Sequence, residues 1–107
     1  MNRNQDEHES QCAQYLKALG DPLRLQIIRA LQAGPLSVTD LATLLEQEIG
    51  TTSHHLRVLY HADLVNTSRE GKFIYYSLSE QLRRERSSEA GGVLDFGCCR
   101  LEMIRQP

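Results

Sequence analysis

Over the first half of the chain, apolar residues recur at three- and four-residue steps, the spacing of helices that each bury one face. Between Asp6 and Leu19 the stripe is Cys12, Tyr15, Leu16 and Leu19, and Gly20 ends it. Asp21-Pro22 then supplies an N-cap acceptor followed by a proline at the first helical position, and Leu23, Ile27, Ile28 and Leu31 carry a buried stripe up to Gly34-Pro35. A short third helix is predicted behind Ser37, whose hydroxyl can cap it. Asp40 lies near its positive end, and Val38, Leu41, Leu44 and Leu45 form its apolar face. Glu46 to Gly50 shows no stripe, after which Thr51 to Leu59 reads as a fourth helix with a thin buried face. Leu56 and Leu59 should point inward with Ser53 and Ala62 beside them, leaving Thr51, Thr52, His54, His55 and Arg57 at the start and on the exposed sides.

The period then changes from helical to alternating. Leu64 to Ser68 and Phe73 to Leu78 are β-rich runs joined by Arg69, Glu70, Gly71 and Lys72, which predicts a β-hairpin with glycine in its turn. Within it Tyr75 and Tyr76 should divide between core and solvent. Ser79 to Arg86 reads as a short charged helix, Ser87 to Gly92 as a small-residue link, and Val93 to Met103 as a second apolar patch carrying the adjacent Cys98 and Cys99. The expected fold is mainly α with a small β-hairpin, an α+β winged helix-turn-helix. Its expected parts are a polar N-terminal arm at 1–10, the winged domain at 11–79 and a C-terminal tail at 80–107.

Composition adds limits. At 107 residues, 40% hydrophobic and 24% charged, the chain is expected to form one folded domain with polar tails. No apolar run approaches the ~20 residues of a membrane span. Met1 to Ser10 is polar and acidic, unlike a secretory signal, so a cytoplasmic protein with no membrane partner is expected. The net charge of −2 and pI of about 6.1 differ from the strongly basic balance usual in nucleic-acid binders. Local charge decides at a DNA surface, however, and the acids concentrate near the N-terminus and at Glu46 and Glu48.

A helix that enters the major groove needs polar side chains at its N-terminal end, because base edges there present a donor and acceptor pattern that distinguishes all four pairs. Thr51, Thr52, Ser53, His54 and His55 supply them, while Arg57 and the hairpin residues Arg69 and Lys72 are placed for phosphates. Leu16-Lys-Ala-Leu-Gly-Asp-Pro-Leu-Arg-Leu-Gln-Ile-Ile, Ser53-His-His-Leu-Arg-Val-Leu and Gly71-Lys-Phe-Ile-Tyr-Tyr-Ser-Leu, in this order, resemble the ArsR/SmtB family of metal-responsive repressors over roughly residues 13 to 79. The resemblance implies a homodimer on an inverted-repeat, double-stranded operator, released when an inducer binds, with the tail at the dimer interface. The chain also departs from the family. Ser37 and Thr39 stand where some members carry metal-binding cysteines, residues 80–107 lack the histidine of a last-helix zinc site, and Glu46 and Glu48 replace the usual glycine and serine before the fourth helix.

Cys12, Cys98 and Cys99 remain as candidate inducer ligands, since the family packs its first and last segments together. Three thiolates suit trivalent arsenic or antimony or a soft divalent metal ion, and His8, four residues before Cys12, is an additional nitrogen donor. No obligatory cofactor is expected. The rival chemistry is oxidation, in which Cys12 links to one of the pair by a disulfide or polysulfide bridge. Plain readings stand beside these: Cys12 as core filler, His8 as a solvated side chain, and His54 and His55, which point about 100° apart, as contact or packing residues. No nucleophile, base and orienting group come together, so an enzyme is not expected. A protein-interaction module on the same fold is the other competing class.

Overall fold

The architecture comes from a computed structural model that describes residues 3–83 and 93–103. Helix α1 runs Arg3–Leu19, so it already includes most of the segment expected as an arm, with Glu7 to Ser10 exposed. Helix α2 spans Pro22–Leu31 and is capped as expected: Asp21 Oδ2 accepts from the amides of Leu23 at 2.9 Å and Arg24 at 3.1 Å. The two-residue strand β1, Leu36–Ser37, leads into α3, Val38–Leu44, where Ser37 Oγ accepts from the Asp40 amide at 3.1 Å. Helix α4 covers Ile49–His61.

Strands β2, Val65–Glu70, and β3, Phe73–Leu78, pair antiparallel from Val65 opposite Leu78 to Glu70 opposite Phe73. Gly71 takes φ +62° in the turn between them, a conformation open to glycine at little cost. Strand β1 adds to the other edge of β3, giving the order β1-β3-β2. Only the root of the hairpin is anchored. Val65 and Leu78 are buried, whereas Asn66 to Glu70 are all exposed, so the hairpin projects as a wing. Tyr75 and Tyr76 do not divide between core and solvent. Both are half-buried, because β3 is the central strand and is flanked on both edges.

Helix α5, Glu80–Arg83, is the described part of the predicted charged helix; its extension to Arg86, the link at 87–92 and residues 104–107 lie outside the described residues. The C-terminal patch forms a second hairpin, β4 Val93–Asp95 with β5 Arg100–Glu102. One core joins all these parts: Ile27 and Ile28 of α2, Leu41 of α3, Leu56 and Leu59 of α4, and Tyr15, Ala18 and Leu19 of α1 meet Leu94, Phe96 and Met103 of the C-terminal hairpin. Burial of each such large side chain is worth roughly 1.5–3 kcal/mol. Leu16 and Leu44, expected in the stripes, are 48% and 60% exposed. Ala18 and Ala42 take the buried places instead, as α1 turns its Tyr15, Ala18 and Leu19 side to the core and the short α3 has room to bury only Leu41 and Ala42.

Candidate functional site: a polar helix face and a three-sulfur cluster

Helix α4 starts at Ile49, two residues before the predicted Thr51, so Thr51 and Thr52 lie within its first turn. Thr52, Leu56 and Leu59 recur at four and three residues and form the buried side; all three have 0% exposure. Thr52, expected among the base-reading residues, is therefore turned into the protein, with its Oγ1 donating to the Glu48 carbonyl at 3.0 Å. The opposite side carries Gly50, His54, Arg57 and His61 at the same helical spacing, all exposed, with Thr51 exposed beside them. Ser53, expected to point inward beside Leu56 and Leu59, is half-buried at the margin. His61 is the residue the sequence reading missed, although its steps of seven from His54 and four from Arg57 place it on the same stripe.

His55, also expected at the surface, is drawn inward. Its side chain is 17% exposed, and its Nδ1 lies 3.8 Å from Asp21 Oδ2, too far for a hydrogen bond and without another partner. The Asp21 carboxyl is held below the usual carboxylate range, chiefly by the hydrogen bond from the Arg24 amide, with lesser help from His55 and the Leu23 amide. One carboxylate thus caps α2 and faces the polar helix.

The turn before α4 explains how its two departures from the family pattern are accommodated. Glu46 adopts φ +55°, the left-handed position usually given to glycine. The Gln47 amide donates to Ala42 O at 2.9 Å and the Glu46 amide to Thr43 O at 3.2 Å, the paired bonds of a Schellman closure of α3. Glu48 is the N-cap residue of α4 and makes no side-chain capping bond. Asp63, with φ +63°, closes α4 by the same device: its amide donates to Tyr60 O and the Leu64 amide to Leu59 O, both at 3.0 Å. In the wing, Arg69 and Lys72 are exposed, and Lys72 Nζ stands 5.8 Å from the centre of the Phe73 ring.

The second cluster joins the two ends of the chain. Phe96 N donates to Cys99 O at 2.9 Å, closing the C-terminal hairpin around Gly97, with φ +86°, and Cys98. Asp95 fixes this turn: its Oδ1 accepts from the Gly97 amide at 2.8 Å and its Oδ2 meets Arg100 at 3.3 Å, which together hold its carboxyl below the usual range. Phe96 stacks on Tyr15 of α1 at 5.4 Å between ring centres. One turn earlier on α1, Cys12 is joined to Cys98 by a disulfide, with Cα atoms 6.0 Å apart, and Cys99 Sγ lies 2.7 Å from Cys12 Sγ. All three sulfurs fall within 4.8 Å of one another. The geometry meets both requirements set by the chemistry, a Cα separation short enough for a bridge and sulfurs close enough to share one centre. His8 lines a groove of about 560 Å³ with Cys12, Leu16 and Cys98, but it is outside the three-sulfur group.

Comparison with known proteins gives the same frame. The profile described as "Bacterial regulatory protein, arsR family" matches residues 21–67. The HTH-type transcriptional regulator NmtR of Mycobacterium tuberculosis is 48% identical over 69 residues, which cover 64% of this chain and 58% of that protein. The chain thus spans little more than half the length of this relative. The arsenical resistance operon repressor of Bacillus subtilis is 31% identical over 100 residues, covering 92% of this chain and 89% of that one. Among solved structures, the homodimeric winged helix-turn-helix DNA-binding domain Mb0332 of Mycobacterium bovis superposes with a TM-score of 0.71 at 30% identity, covering 78% of this chain and 77% of its own. The winged helix-turn-helix expected from the sequence is the fold of this chain.

Proposed function

Because the chain belongs to the arsR family of bacterial regulatory proteins, we propose that it is a DNA-binding transcriptional repressor, working as a cytoplasmic homodimer on an inverted-repeat operator. The observation that carries this reading is the face of α4 opposite the core, where Thr51, His54, Arg57 and His61 stand exposed near a projecting wing with Arg69 and Lys72. His54 and Thr51 are suited to base edges, and the cations to phosphates, which fix register without reading sequence. Ser53 contributes from the margin. His55 acts through the packing of α4 on α2, and Thr52 positions the helix start.

The inducer reading rests on the three sulfurs. With its thiols reduced, Cys12, Cys98 and Cys99 would hold a trivalent arsenic or antimony centre or a soft divalent ion, the sulfur set that such acceptors select. Arsenous acid would lose its three hydroxides as water, taking the three thiol protons. The arsenical resistance operon repressor of Bacillus subtilis, alike over most of both chains, supports this choice. The Cys12–Cys98 disulfide favours a second reading in which oxidation is the signal: the two thiols give up two electrons and two protons to an oxidant such as a polysulfide.

One binding assay tests all of this. A duplex selected from random inverted repeats should bind with an affinity that falls steeply with salt, and Arg57→Ala should lower that slope by about 1. Binding without a salt slope would refute the repressor and favour a protein-interaction module. Under reducing conditions, arsenite, antimonite, cadmium or mercury should release the duplex, and Cys98→Ser with Cys99→Ser should abolish release at unchanged affinity. Release by polysulfide alone selects the oxidation reading.

A further inference from the structure

Helix α1 carries grooves on opposite faces. Cys12 and Leu16 line the sulfur groove; Gln14, Lys17 and Ala18, about half a turn around the helix, line a second pocket of about 330 Å³. This second pocket lies between α1, the first turn of α2 and the last turn of α4. Its polar lining is Gln14, Lys17, Arg24 and His61, over a base of the small apolar side chains Ala18, Val58 and Ala62. No acid is among these lining residues. Asp21, the acid nearest Arg24 in sequence, has its Oδ2 committed to the amides of Leu23 and Arg24 and stands toward His55.

Arg24 Nε is buried without a hydrogen-bond partner. With Nε sealed from solvent, the terminal amino groups of Arg24 are what its side chain can offer to the pocket, and a planar or tetrahedral oxyanion is the partner that meets the geometry of a guanidinium best. We propose that this pocket binds a small oxyanion, the phosphate or carboxylate of a low-molecular-weight ligand, through Arg24, Lys17 and His61. The volume is at the small end for ligand pockets, which fits a ligand of few heavy atoms with at most a short aliphatic part over Ala18, Val58 and Ala62. Lys17 and His61 also lie in the last turns of their helices, where a cation answers the negative end of the helix dipole, so a bound anion is drawn by the side chains and not by the helix ends. A ligand here touches the last turn of α4 and the reverse face of the helix that carries Cys12, independently of any thiol chemistry.

Titration of the full chain followed by two-dimensional amide NMR, at fixed pH and ionic strength, tests this with inorganic phosphate in one arm and butyrate in the other. The expected result is saturable shifts of the Gln14 to Ala18 and Val58 to Ala62 amides in at least one arm, and the arm that saturates at lower concentration identifies the phosphate or carboxylate source. Lys17→Gln with His61→Gln, both at exposed positions that leave the core intact, should weaken that binding at least tenfold, whereas Arg57→Gln should leave it unchanged. Shifts that grow linearly to the highest concentration in both arms, or saturation unaltered in the Lys17 and His61 double variant, would overturn the proposal.

Discussion

The helical unit from Asp21 to Leu59 and the C-terminal sulfur hairpin are stabilised in different ways. In the first, several helix ends are set by neighbours in sequence: Asp21 caps α2, Ser37 caps α3, and a Schellman closure at Glu46 ends α3. The hairpin at Val93–Glu102 has three-residue strands, too little for independent stability, and is held by Phe96 on Tyr15, the burial of Leu94 and Met103, and a disulfide spanning 86 residues of sequence. The hairpin thus depends on partners remote in sequence, whereas the helix ends of the first unit are set locally.

The largest effect that would break this contrast is in the shared core. Leu56→Ala, at a position with 0% exposure, should cost about 2–5 kcal/mol in urea unfolding, with the transition remaining cooperative. Reduction of Cys12–Cys98 comes next. Because the bridge closes so long a loop, its loss should cost about 2–4 kcal/mol, seen as a lower Tm in dithiothreitol, and amide exchange should quicken in residues 93–103 before α4. Equal protection of both segments after reduction would remove the distinction drawn above. Glu46→Gly should be stabilising by about 1 kcal/mol, since it removes a side chain from a left-handed backbone position; loss of stability there would mean that the glutamate makes an unrecognised contact.

The smallest effect concerns pH. Asp21 has a lowered carboxyl pKa in the folded protein, so its contribution is fully present above its ordinary value of 3.8 and is lost as pH falls through the lower folded value. Asp21→Asn keeps a capping oxygen but not the charge, and should flatten this acid limb with little change near neutrality. An unchanged limb in a pH series of urea melts would place the acid sensitivity elsewhere.

The sequence by itself determined the four helices and the winged hairpin in their order, the caps at Asp21 and Ser37, and the family, because these depend on period and on residues two to four apart, whereas strand β1 and the C-terminal hairpin were not legible in it. It also marked Cys12, Cys98 and Cys99 as the residues with chemistry to offer. Only the tertiary structure decided that Thr52 and His55 turn inward while His61 faces out: the Leu56 and Leu59 pair did not show how far along α4 the buried side reaches, and its extension to Thr52, with His55 beside Asp21, depends on packing against the rest of the fold. It alone brought the three sulfurs within 4.8 Å, because that meeting depends on how α1 packs against a hairpin remote in sequence, which no local pattern encodes.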